Sequence, residues 1–414
     1  MKGVEQLIEG DPTSLVVSNN IDIPPTEATD IVIKVACAGV NRLDLLQASG
    51  NYKVPEGVSE VLGLEVSGLV ITVGNSCTKG FKEGDTVFAL LSGGGYAEIA
   101  AVNENLCFPA IPTLSLTQMC AIPETFLTAF QLAFFIAKAE SGQSALVHAG
   151  ASGVGQILTR MLTGKGVNVI STTRSRSKID VCIKSGASDV ILPVTTTNSG
   201  RDLIALGKSG GDDATLDTEN APPRKKYFAA KAIDANGGIV GAHFDMVFCP
   251  VGGDYLEENL ACLKQDGKLV LYGLMGGTDM SIDGSLMSKI LFKRISLLPS
   301  TLRSRSLEYK SELAKAFYED ETVGYPALSS GRIQPLDVEY TCPLEDVMKA
   351  HTVMQKNRNV GKIVLMVSDQ TNTLEYFARE MQQLEERFIS PSRDKDNKDN
   401  DKIGDKDEYK GGTT

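Results

Sequence analysis

The chain has 414 residues, 42% of them hydrophobic and 22% charged, with a formal net charge of −11, 40 glycines and no tryptophan. That composition fits a soluble globular protein long enough for two domains. The acidic balance argues against nucleic acid or an anionic membrane as the main partner, no apolar run reaches the roughly 18 residues of a spanning helix, and residues 1–9 do not read as a secretory signal.

The first third reads as β-rich. Residues 31–36 form a strand, 66–73 a strand pair or bend flanked by glycines, 84–90 a strand entered through a turn, and 96–102 a further strand. Ser92-Gly-Gly-Gly95 reads as a flexible loop, and 114–121 as helical after Pro112. Antiparallel strands with few helices predict a compact, barrel-like domain.

From about Pro123 helices and strands alternate. An apolar helix is expected over 125–139, and strands at 145–148, 167–170, 190–192, 244–248, 268–272 and 295–298. Six strands with helices between them predict a doubly wound parallel sheet, hence an α/β protein. Residues 195–242 are too long for an ordinary crossover and read in part as an exposed insertion. Gly207-Lys-Ser lacks the upstream glycine of a P-loop. Leu374, Phe377, Met381, Leu384 and Phe388 make one helical stripe, for the chain's own body or for a partner, the former being favoured. Beyond Ser390 the mixed charges predict a disordered tail.

The eight cysteines, at 37, 77, 107, 120, 182, 249, 262 and 342, form no Cys-x-x-Cys pair and read as small buried residues in a reducing, cytoplasmic setting. No tight cysteine cluster suggests structural zinc. His148, at a strand end, reads as a packed, hydrogen-bonded histidine rather than a ligand.

The stretch with most chemical content is Ala145-Leu-Val-His-Ala-Gly-Ala-Ser-Gly-Val-Gly155, a strand running into three glycines and then a helix. Such a turn lets a diphosphate approach the amides at the helix start, where the helix dipole favours negative charge. In NAD-type sites an acidic residue follows about 20 residues later and grips the ribose. Here Ser171-Thr-Thr-Arg-Ser-Arg-Ser-Lys178 offers cations and hydroxyls with no carboxylate, which suits a 2′-phosphate and predicts NADPH.

With these motifs in view the chain resembles the medium-chain dehydrogenase/reductase superfamily and, within it, the zinc-independent quinone oxidoreductases related to zeta-crystallin, including their tumour-suppressor-inducible members. The resemblance spans residues 31–366 and rests on Ala38-Gly-Val-Asn-Arg-Leu-Asp44, Gly50-Asn-Tyr52, Leu62-Gly-Leu-Glu-Val-Ser-Gly68, Ala121-Ile-Pro-Glu-Thr-Phe-Leu-Thr128, residues 148–155, Leu271-Tyr-Gly-Leu-Met-Gly-Gly277, Leu302-Arg-Ser-Arg305 and Asn359-Val-Gly-Lys-Ile-Val-Leu365. It implies a GroES-like β-rich catalytic domain from 1–123 and 301–367, a Rossmann NADPH-binding domain over 124–300 and a tail from 368.

The resemblance also implies roles. Asn41, Asp44 and Tyr52 would line the substrate cleft, Tyr52 as an orienting group or proton source; Asn41 and Asp44 equally fit a helix cap. Thr128 would bond the nicotinamide carboxamide. Gly150, Ser152, Gly153, Val154 and Gly155 would hold the diphosphate, and Ser175, Arg176 and Lys178 the 2′-phosphate, with Arg174 beside them. Tyr272, Gly273, Leu274 and Met275 would flank the nicotinamide, and Asn359 would close over the cofactor. Zinc-dependent relatives place cysteine and histidine where this chain has Asn41 and Leu64, so no metal is expected. Pro193 and Phe248-Cys-Pro250 depart from the family on the adenosine side. The implied activity is NADPH-dependent reduction of quinones, by one- or two-electron steps. The alternatives are a 2-alkenal or enone reductase and a non-enzymatic structural or RNA-binding role. Relatives pair through the sixth strand of the parallel sheet, so a homodimer is expected.

Overall fold

A computed structural model describes residues 1–196, 225–236, 243–278 and 284–368. Most of the expected insertion (197–224 and 237–242) and the expected helical stripe and charged tail lie outside the described residues. The chain begins with the hairpin β1 (Gly3–Gln6) and β2 (Leu15–Ser18), then β3 (Asp30–Val40), α1 (Arg42–Ala48), β4 (Glu65–Val73), β5 (Thr86–Leu90), β6 (Ile99–Asn103) and β7 (Cys107–Pro109). Helices α2 (Leu116–Cys120) and α3 (Pro123–Phe130) lead into β8 (Ser144–Val147), α4 (Gly153–Gly164), β9 (Asn168–Thr172), α5 (Ile179–Lys184) and β10 (Asp189–Ile191). After the short pair β11 (Val194–Thr196) and β12 (Lys225–Tyr227) come α6 (Ala229–Ala235), β13 (Phe244–Cys249), α7 (Leu256–Cys262), β14 (Leu263–Leu271), α8 (Gly284–Lys293) and β15 (Ser296–Pro299). Helices α9 (Leu307–Glu319) and α10 (Tyr325–Ser329), strand β16 (Val338–Pro343), α11 (Val347–Gln355) and β17 (Lys362–Met366) complete the described chain.

Two large sheets organise these elements. One runs β16-β17-β3-β4-β5-β7, with β6 also on β3. Strand β17 returns from the far end of the chain to lie antiparallel to β3, pairing Ile363 with Val40. The other runs β10-β9-β8-β13-β14-β15 with every neighbour parallel. The expected six strands are all present, in the doubly wound order. The order reverses between β8 and β13, which opens a crevice at their carboxyl ends. Strand β8 is buried along its whole length, as its uninterrupted apolar run requires. One continuous core joins Val66 and Phe88 of the first sheet to Val147 and Val270 of the second.

Three local expectations change. Residues 66–73 form a single strand rather than a pair, and the expected irregularity lies within it: the register with β3 shifts between Val70 and Thr72, while Gly68 packs on β3, where a Cβ would lie 2.1 Å from the Lys34 carbonyl. The glycine run 92–95 is pinned, with Gly94 and Gly95 donating to the carbonyls of Val61 and Gly63 at 2.7 and 3.1 Å. The apolar helix expected over 125–139 is α-helical only to Phe130, then widens into a π-helical segment, Gln131–Ile136. In it Phe134 and Phe135 both pack against Phe130, with ring centroids 4.9 and 6.3 Å away.

Candidate active site

The β-rich side of the crevice is built around buried charge. Asn41 and Asp44 cap α1: the Asn41 amide N–H donates to Asp44 Oδ2 at 2.7 Å, and the Asp44 N–H to the Asn41 carbonyl at 3.1 Å. Asp44 also accepts from the Gly63 N–H (3.1 Å) and the Tyr96 hydroxyl (3.1 Å), so its carboxylate is engaged in holding the fold. Burial pushes that carboxyl up to about 6. The Asn41 side chain is held at both ends. Its Nδ2 donates to Glu65 Oε1 at 2.9 Å, and its Oδ1 accepts from Lys362 Nζ at 2.7 Å. Lys362 and Glu65 form an ion pair, 4% and 0% exposed. The other Glu65 oxygen accepts the Glu124 N–H at 2.9 Å, at the start of α3. Leu64, next to Glu65, is fully buried.

Tyr52 belongs to a second group. The Arg303 guanidinium lies over its ring, 5.3 Å from the centroid. Arg303 donates to the Ser92 carbonyl (2.6 Å) and to Gln47 Oε1 (2.8 Å), while its Nη2 is buried without a partner. Lys310 reaches the Ser92 hydroxyl at 2.7 Å. Burial raises the Tyr52 phenol above its ordinary value, and Arg303 opposes that shift. Glu124 connects the two groups. Burial, with the Glu65 carboxylate beside it, pushes its carboxyl up to about 8, against the opposing charges of Lys362 and Arg303.

The glycine turn lies between the carboxyl end of β8 and the start of α4. Ser152 caps α4 by accepting the Gly155 N–H at 3.1 Å, and Ala149 adopts a positive φ of 51°. Close packing demands glycine at 150 and 155 and leaves only tight room at 153. A Cβ on Gly150 would lie 2.6 Å from Ser171 Cβ, on Gly153 3.1 Å from Thr125 Cγ2, and on Gly155 2.4 Å from the Ala149 carbonyl. The Gly153 position is also 3.9 Å from Lys362 Cδ, so Val154 and its neighbours at the helix start adjoin the Asn41 network. Thr128 Oγ1 and Tyr272 Oη are both buried without a hydrogen-bond partner. After β14, the Tyr272 and Met275 N–H groups donate to the carbonyls of Cys249 (3.1 Å) and Pro250 (3.0 Å) at the end of β13. A Cβ on Gly273 would lie 2.9 Å from that Pro250 carbonyl. Leu274 and Met275 are half exposed, 52% and 48%.

At the end of β9, Arg174 and Arg176 are exposed and Lys178 is partly buried. Ser175 and Ser177 share a hydroxyl–hydroxyl contact of 2.7 Å. Lys178 Nζ donates to the Asn357 and Asn359 carbonyls, both at 2.9 Å, fastening the segment before β17. The Asn359 side chain donates to the Gly361 carbonyl at 2.9 Å, so it orders that segment locally. His148 is a packed histidine, as expected: its ring nitrogens contact Thr172 Oγ1 (3.0 Å) and Asn259 Oδ1 (2.7 Å) between Phe228 and Tyr255.

Two family models match the chain: the alcohol dehydrogenase GroES-like domain over residues 27–113 and the zinc-binding dehydrogenase domain over 153–317. Together they span more than half of it. The chain is similar to the quinone oxidoreductases of rat (23% identity over 370 residues, 89% of this chain and 98% of the relative) and human (24% over 371 residues, 89% and 98%). The chain belongs to the medium-chain dehydrogenase/reductase superfamily. Among solved structures, this chain is similar to a mycobacterial quinone oxidoreductase (26% identity, 88% of this chain and 99% of that one, TM-score 0.67) and to a mycobacterial protein complexed with NADPH (25%, 88% and 100%, TM-score 0.69). Its two sheets are the GroES-like and Rossmann-type layers of that superfamily.

In this superfamily member, Asn41 and Asp44 lie together, with Gly153 alongside through Lys362. Ser175, Arg176 and Lys178 share one short stretch after β9, and Lys178 holds Asn359. Tyr52 lies with Arg303, from the Leu302-Arg-Ser-Arg305 motif. Glu65, Glu124 and Lys362 also belong to the motifs that carry the resemblance, without an expected role of their own. A buried acid and a buried lysine in two separate strands give no local signal; a glutamate as the one charged residue in the run 62–70 is the one available hint.

Proposed function

We propose that this oxidoreductase passes reducing equivalents from NADPH to quinones without a metal. The observation that carries the reading is the Asn41–Glu65–Lys362 network. At the position where zinc-dependent relatives are expected to hold their ion, an amide bonded at both ends and an ammonium already compensate the buried carboxylate. Neither Asn41 nor Leu64 offers the thiolate or imidazole that zinc requires.

The residues fit a phosphorylated dinucleotide. The close-packed glycine turn and the start of α4 suit the diphosphate. The unpartnered hydroxyls of Thr128 and Tyr272 await polar groups at the nicotinamide end, between Gly273 and the half-exposed Leu274 and Met275. Ser175, Arg176 and Lys178 suit the 2′-phosphate. When bound, the cofactor supplies the hydride or electrons. Tyr52 orients the acceptor oxygen beneath Arg303, and the Glu124 carboxyl, raised by burial and by Glu65, interacts electrostatically with that same Arg303. In a turnover matrix of NADPH and NADH against a benzoquinone and a 2-alkenal, NADPH with the quinone is expected to be fastest. Lys178→Ala and Arg176→Ala should each weaken NADPH binding about tenfold or more and leave NADH nearly unchanged, since a charge-assisted bond contributes about 1.5–3 kcal/mol. Equal affinity for the two nucleotides in the unmutated protein would refute the cofactor reading, and a faster alkenal would reassign the acceptor.

A homodimer is part of the same proposal. Strand β15 is the edge of the parallel sheet, and Leu297 on it is 47% exposed. Beside it α8 exposes Met287 (63%), Leu291 (70%) and Phe292 (75%). Such an apolar edge is a pairing surface. Light scattering should give a dimer mass for the wild type and a monomer mass for Phe292→Asp; a monomeric wild type would sink this assignment.

A further inference from the structure

Arg42 is the first residue of α1, one peptide bond from Asn41, and it comes from the β-rich side of the crevice. Its guanidinium Nη2 donates to Asn357 Oδ1 at 2.7 Å. The Asn357 carbonyl accepts from Lys178 Nζ at 2.9 Å. One residue, held at a positive φ of 53°, is therefore gripped by cations from both sides of the crevice. Arg174 completes the group, because its charge bears on both Arg42 and Lys178. Burial and mutual repulsion push the latter two below their ordinary values. Glu339 acts on Lys178, and among the described residues no carboxylate is seen acting on Arg42.

Three cations converging on one carboxylate leave the place with excess positive charge, and part of it is removed from water. A fold gains nothing from that arrangement by itself, because like charges at short range destabilise each other. A phosphate monoester, carrying roughly −1.5 to −2 charges at neutral pH, would relieve it. A guanidinium has five donors in a planar fork suited to phosphate oxygens, and the one bond Arg42 makes among the described residues leaves that fork mostly available.

We propose that Arg42 is a specificity-determining residue which reaches the cofactor 2′-phosphate from the β-rich side and completes the site begun by Arg174 and Lys178. The inference rests on the NADPH reading above. It gives that phosphate a direct link to the reaction centre: Arg42 adjoins Asn41, whose amide is fixed between Glu65 and Lys362. The phosphate thereby secures α1 as well as the end of β9.

Fluorescence titration of the full-length protein with NADPH, NADH and 2′,5′-ADP tests this. Arg42→Ala should raise the NADPH and 2′,5′-ADP dissociation constants at least tenfold and shift NADH less than twofold, and Arg42→Lys should recover part of the loss. Asn357→Ala removes the Oδ1 contact but keeps all three cations, so it should leave the NADPH-to-NADH ratio unchanged. A wild type that prefers NADPH, with the preference intact in Arg42→Ala, overturns this inference while the cofactor reading stands. Equal weakening of NADPH and NADH in Arg42→Ala assigns Arg42 to scaffolding and also overturns it. A wild type with no preference fails the cofactor reading itself.

Discussion

Lys362→Met is expected to lower the unfolding free energy by about 3–5 kcal/mol, the largest stability loss foreseen for any single change at the site. The ion pair it breaks is almost wholly buried, with Glu65 at 0% exposure and Lys362 at 4%. Without the ammonium, Glu65 keeps two neutral donors among the described residues, the Asn41 amide and the Glu124 N–H. Neutral donors do not compensate a desolvated charge as an opposite charge does. Asn41 also loses the partner of its Oδ1, so the loop before α1 should loosen and turnover should fall with stability. The double variant Glu65→Gln/Lys362→Met, which buries no charge, should recover most of the stability. Urea titrations of the three proteins measure both effects. A loss under 1 kcal/mol in the single variant would show that the pair does not hold this junction.

Gly155→Val is expected to weaken both nucleotides by a factor of about 100 or more, equivalent to about 2.7 kcal/mol of binding. A Cβ at this position would lie 2.4 Å from the Ala149 carbonyl and 3.0 Å from Gly150 Cα. The turn cannot easily withdraw. Gly150 donates to the Thr172 carbonyl at 2.9 Å, and Ser152 to that same Ala149 carbonyl at 2.8 Å. Forcing extra carbon atoms into such a place costs about 1–3 kcal/mol of stability and displaces the amides that would face the diphosphate. Because both nucleotides carry that diphosphate, both should suffer, unlike the selective loss expected of Lys178→Ala. Titration with NADPH and NADH, beside circular dichroism to verify folding, reads the outcome. Near-normal affinity in a folded variant would mean that the turn does not bind the cofactor.

Part of this was legible before the structure. Six short apolar runs separated by helical stretches became the six parallel strands, with ends displaced by at most two residues except that β14 begins earlier, at Leu263. The glycine turn, the helix cap at Asn41 and Asp44, and the packed state of His148 were also readable, because each depends on residues within a few positions or on one residue's ordinary behaviour. The π-helical widening after Phe130 was not readable. It answers to Phe134 and Phe135 packing around Phe130, and the spacing of apolar residues looks the same for a continuous helix.

By itself the sequence determined the periodicities, the turn chemistry and the cationic stretch after β9, and through them the fold class and the class of cofactor proposed. Only the tertiary structure decided which charges meet. Lys362 lies 321 residues from Asn41 and 297 from Glu65, and reaches them because β17 pairs with β3. Arg303 is placed over Tyr52, and Arg42 beside Lys178, by the same kind of distant return. Local pattern sets backbone preference over about ten residues, whereas the partner of a buried charge depends on which strands adjoin.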